Sequence, residues 1–124
     1  MYHYKAKLIR VIDADTIVVL VDLGFYVRTE IHLRLGGVDA PEMDTAGGKK
    51  LKDQVEYYFN CLSLNGDYEP DHFPFDIETS KSRSFTRWVA AIKVQGVNIN
   101  SLINKWIKMW ENGETLPVDK EATF

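Results

Sequence analysis

One cysteine, Cys61, in 124 residues excludes an internal disulfide, so no part of the fold requires an oxidising compartment. No apolar run approaches the length of a membrane span. The opening stretch MYHYKAKLIRVIDADT also lacks the continuous apolar segment of a signal peptide. A soluble cytoplasmic protein with no membrane partner is therefore expected, with export of a processed form as the alternative. An excess of positive charge is missing as well. Lysine and arginine number 15 against 18 aspartates and glutamates, a formal charge of -3, which argues against wrapping nucleic acid over the whole surface. His3, His32 and His72 have no metal-ligand spacing and are expected at the surface.

What is present suffices for one core: 45% of the residues are hydrophobic and 12% aromatic. In KAKLIRVID the apolar positions Ala6, Leu8 and Ile12 share one parity, TIVVLV is rich in β-branched residues, and VRTEIHLRL alternates with Ile31, Leu33 and Leu35 on one face. These read as a three-stranded meander ending at Gly36-Gly37. Leu51, Val55, Tyr58 or Phe59, and Leu62 then follow helical spacing, with Cys61 expected as a small buried residue on that helix. FPFDIET and TRWVAAIKV return to alternation. A second helix is predicted from near Asn100, taken as its N-cap, with Ile103, Trp106, Ile107 and Trp110 on its apolar stripe and Asn112-Gly113 as its stop. Trp106 is expected in the core and Trp110 in the core or against a partner.

Three strands, a helix, two strands and a helix is the order of an OB-fold: mainly β (α+β), a five-stranded Greek-key barrel with a helix between the third and fourth strands and another after the fifth. One domain over residues 1–113 and a loose tail over 114–124 are expected.

Two acidic turns carry the chemistry: DADT, Asp13 to Thr16, after the first strand, and VDAPE, Val38 to Glu42, after the third. If a barrel brings them together, their carboxylates and carbonyls suit a hard divalent cation. Arg34 lies on the outward parity of its strand and Arg87 opens the fifth. Guanidinium groups beside a carboxylate-bound cation make a site for a phosphate diester, because the planar fork donates paired hydrogen bonds and keeps its charge. Each turn or arginine alone has a plainer reading as a cap or a solvated charge; the combination is informative.

The segments VIDADTIVV, LRLGGVDAPE and TRWVAAI resemble, in order and separation, the three active-site segments of the staphylococcal nuclease-like (thermonuclease) family of OB-fold phosphodiesterases. The resemblance covers about residues 5 to 110. It implies that Asp15 and Asp39 are calcium-binding carboxylates and that Ala40 offers its backbone carbonyl to the ion. It further implies that Glu42 is the general base for the attacking water and that Arg34 and Arg87 bind the scissile phosphate. Asp13 matches an acid that supports the ligands rather than touching the metal. Phe85 stands where the founding member has a phosphate-binding tyrosine, so it can stack on substrate but not donate to it.

The expected function is a calcium-dependent nuclease on DNA, with RNA as a further substrate, leaving 3'-phosphate ends and acting as a monomer. Magnesium or manganese is the less favoured ion. The alternatives are an OB-fold module that binds nucleic acid without cleaving it, and a protein-interaction subunit that docks through Trp110 and the tail.

Overall fold

The computed structural model describes residues 2–62, 72–81 and 88–118. Its elements are β1 (Tyr2–Asp13), β2 (Thr16–Asp22), β3 (Arg28–Leu35), α1 (Ala46–Cys61), β4 (Phe75–Lys81), β5 (Trp88–Val94), β6 (Val97–Asn98) and α2 (Ile99–Glu111). The strands run in the order β3-β2-β1-β4-β5-β6, and a parallel pairing of β3 with β5 closes the first five into a barrel. The architecture is the expected α+β, OB-like barrel with an extra short strand. That sixth strand exists because Gln95 and Gly96, both at positive φ, turn the chain back so that Val97 pairs with Val94. Among the described residues no helix is long and apolar enough to cross a membrane.

Alternation holds along β3, where Leu33 and Leu35 are buried while Glu30 and His32 are exposed. It breaks in β1. A register shift between Leu8 and Arg10 leaves Ile9 exposed and moves the inward parity by one, so Val11 is buried where Ile12 was expected. An extra residue in one strand reverses every side chain beyond it.

Helix α1 lays Leu51, Val55 and Phe59 into the core, with the Phe59 ring 5.3 Å from that of Phe75 at the start of β4. Cys61 is exposed on the helix's last turn, contrary to expectation, because the buried stripe passes through Phe59. The N-cap of α2 is Asn98, whose side chain accepts from the Ser101 N–H. Asn100, expected as the cap, lies inside the first turn and is buried. Trp106 packs edge-on against Tyr58 and so joins the two helices, and Trp110 covers Gly47 of α1. Part of the segment expected as a loose tail docks back on α1: Leu116 is buried, and the Val118 N–H donates to Gln54 Oε1 at 2.7 Å.

Candidate active site

The β1–β2 link contains only Ala14 and Asp15, and neither has the positive φ that two-residue hairpins usually use. The turn is closed by a side chain instead. Asp13 Oδ1 accepts from the Asp15 N–H at 3.0 Å, and the Asp15 carbonyl accepts from the Leu35 N–H at 2.8 Å, which ties the turn to the end of β3.

Asp15 is thereby aimed at the chain that leaves β3. Its Oδ2 accepts from the Ala40 N–H at 3.2 Å and lies 3.6 Å from Arg34 Nη1, while its Oδ1 accepts from the Thr16 hydroxyl at 3.0 Å. Arg34 is anchored through the same nitrogen, which donates to the carbonyls of Leu35 and Val38. Its Nη2 and Nε make no hydrogen bond among the described residues, so one edge of the guanidinium is left for another acceptor.

The two aspartates are shifted in opposite directions. Burial, reinforced by the adjacent Asp15, pushes the Asp13 carboxyl up to about 6. Burial works against the charge of Asp15 too. The hydrogen bonds from Asp13, the Ala40 N–H and Thr16, together with the charge of Arg34, outweigh it and hold that carboxyl below its ordinary value. Asp13 therefore carries its proton only in mildly acidic solution, where Asp15 is already ionised.

The segment after β3 is held from behind by α2. Asn100 Oδ1 accepts from the Ile92 N–H, and its Nδ2 donates to the carbonyls of Gly36 and Ala90; Asn104 Nδ2 donates to the Gly37 carbonyl. Gly37 has φ of 73°, which favours glycine, and a Cβ on Gly36 would stand 3.0 Å from a Val89 methyl, which would have to give way. Further on, the carbonyls of Pro41 and Glu42 lie directly against Gly48 in the first turn of α1. Thr45 caps that helix, accepting from the Gly48 N–H and donating to the Glu42 carbonyl.

Of the residues singled out from sequence, Asp13, Asp15 and Arg34 converge, joined by the Ala40 N–H rather than by the carbonyl that the resemblance assigns to the ion. Asp39 and Glu42 sit on the same anchored segment, but their side chains are exposed and form no hydrogen bond or ion pair among the described residues. Arg87 and Phe85 lie outside the described residues; β5 begins beside them, with Val89 in register with Arg34. Sequence reasoning missed Thr16, Gly48, Asn100 and Asn104. Only the side-by-side glycines of TAGG were a usable signal, since a glycine pair at a helix start marks close approach.

The donor chemistry suits a divalent cation in part. The Asp15 carboxylate, held ionised and backed by Asp13, is an oxygen donor of the kind a hard cation takes. Among the described residues, however, no group of three or more His, Cys, Asp or Glu side chains comes together to hold a metal ion. No family model matches the chain, and no curated protein matches it.

Proposed function

We propose that the protein is a divalent-cation-dependent phosphodiesterase acting on nucleic acid, a nuclease of the staphylococcal nuclease-like kind, with calcium as the favoured ion. The observation that carries this reading is the convergence of Asp15 in the β1–β2 turn with Arg34 of β3 and with the N–H of Ala40, 25 residues further along the chain.

Hydrolysis of a phosphodiester brings a nucleophile onto an anionic phosphorus, so charge must be neutralised before and during attack. Arg34 is suited to neutralise it. With Nη1 fixed on two carbonyls the guanidinium plane is set, and the remaining edge can donate to two phosphate oxygens. Asp15, kept ionised by its donors, would hold the cation, with Asp39 and the Ala40 carbonyl as further oxygen ligands from the adjoining segment. A bound cation supplies Lewis-acid polarisation of the phosphate and a template for the attacking water. The Glu42 side chain is exposed and has no partner among the described residues, so it is available to take a proton from that water. In this reading Arg87 is the second phosphate ligand and Phe85 a surface on which a base stacks.

A cleavage assay on plasmid and single-stranded DNA tests the reading, with wild type, Glu42→Gln and Arg34→Ala each in calcium and in chelator. Cleavage that requires the ion and is lost in both variants supports it. Uncut DNA in every lane, with salt-sensitive binding that survives chelation, would overturn catalysis and leave a nucleic-acid-binding module.

A further inference from the structure

Helix α1 packs on β1 and helix α2 on β5, and the barrel opens into a pocket beside the starts of β1 and β5. There the inward positions of β3 and β4 are threonines, Thr29 and Thr79, whose register partners include Val21, Tyr2 and Ala90. Small barrels are normally filled by their own side chains, and these residues leave a pocket of about 230 Å³. Its floor reaches Leu33 and Ile77, which are 0% and 2% exposed, and its walls are Tyr2, Tyr4 and Trp88. Tyr2 stands edge-on to Trp88 at 6.2 Å and stacks with Tyr4 at 6.5 Å, so the three rings make one continuous aromatic wall.

From this pocket we infer a binding site for a small, uncharged, flat aromatic molecule of one or two rings that carries one hydrogen-bonding group. Size limits the ligand, because the volume falls below the roughly 300–1,000 Å³ of drug-sized sites. Among the described residues no charged side chain lines the pocket, so an ion entering it would lose its hydration without compensation. An aromatic wall favours a ring that lies against it offset or edge-on. The polar handle is met by Thr79, which is 5% exposed and whose hydroxyl has no hydrogen-bond partner among the described residues. The site lies inside the barrel, whereas Arg34 is on the opposite parity of β3 from Leu33, so the inference stands apart from the phosphodiester reading.

The test reads binding rather than cleavage. Methyl-labelled protein is titrated with 2-naphthol and with naphthalene, which has the same rings but no hydroxyl, and the Leu33 and Ile77 methyl signals are followed by NMR. Both probes are expected to shift those signals. Thr79→Val should weaken 2-naphthol about fivefold and leave naphthalene unchanged, as loss of one hydrogen bond requires. Thr29→Phe, which fills the mouth, should abolish both shifts while the melting transition stays cooperative. The inference is overturned if the two methyl signals stay fixed up to the solubility of the probes. It is equally overturned if Thr79→Val treats both probes alike, or if the shifts survive in Thr29→Phe.

Discussion

Gly48, in the first turn of α1, lies bare against the carbonyl oxygen of Glu42, so close that a Cβ there would overlap it. The contact fixes the depth at which the Asp39–Glu42 segment sits on the helix, and Thr45 reinforces it by hydrogen-bonding both partners. Helix propensity alone says that Gly48→Ala stabilises by about 1 kcal/mol. Overlap with a backbone carbonyl reverses the sign, and a net loss of about 1–3 kcal/mol is expected in urea denaturation. A gain in stability would show that the segment moves freely away from the helix.

Asn100 makes three hydrogen bonds from a buried position. Asn100→Leu would leave the Ile92 N–H and the Gly36 carbonyl unpaired, whereas the Ala90 carbonyl keeps the Gly36 N–H. A loss of roughly 2–4 kcal/mol follows for one buried and one part-buried orphaned group. The measurement is equilibrium unfolding. A loss below about 1 kcal/mol would mean that water replaces the amide.

Asp13 should make stability depend on pH. Its carboxyl titrates near 6 in the folded chain against 3.8 for the unperturbed group, so between those values the folded state binds more protons than the unfolded one. Stability contributed at this position therefore declines as pH rises from about 4 to 6 and is level above that. Asp13→Asn keeps an acceptor for the Asp15 N–H and removes the charge. It is expected to be more stable than wild type at pH 8 and no more stable at pH 4, by up to about 1 kcal/mol after solvent screening. Melting temperatures of both proteins across that range check it; a difference that does not change with pH refutes it. Asp15 acts in the opposite sense, losing its contribution only as pH falls through its lowered value.

For the proposed activity, Arg34→Lys separates charge from geometry. Lysine keeps the positive charge but not the paired donors, and kcat on single-stranded DNA should drop by roughly 10²–10³. Near-normal turnover in Arg34→Lys would mean that charge alone suffices at that position.

The β2–β3 hairpin turns through Phe25 and Tyr26, both at positive φ and both almost fully exposed. A hydrogen bond from the Val27 N–H to the Gly24 carbonyl closes a turn whose two central residues are ordinarily Asn-Gly. Replacing the pair by Asn-Gly should raise stability by about 1–2 kcal/mol, read as a higher melting temperature. An unchanged value would show that the aromatic rings supply compensating contacts.

Much of the barrel was legible because strands and helices write their burial into local periods. Leu33 and Leu35 fall inward at alternate positions, and Leu51, Val55 and Phe59 recur at spacings of four. Those periods follow from backbone geometry alone. Where the backbone slips, local reading fails: nothing in LIRV marks Ile9 as the extra residue that turns Val11 inward, because a bulge is set by what the partner strand can accept. Asn98 and Asn100 are equally good caps by type, and only the docking of α2 on β5 assigns one to the helix end and the other to three distant backbone groups.

The same division runs through the candidate site. Asp15, Arg34 and the VDAPE segment could be picked out from the sequence because charged residues at strand ends and a proline-bounded acidic turn are uncommon combinations. Their distances could not, since Asp15 and Ala40 meet through barrel closure and hold one another across 25 intervening peptide bonds. The raised titration of Asp13, the anchoring of Arg34 on two carbonyls, and the seat of Glu42 on Gly48 likewise arise from packing. Residue type is a local property that the chain carries unfolded. Burial, the energy of a charge and the approach of two backbones depend on neighbours far along the chain, and exist only once the barrel has closed.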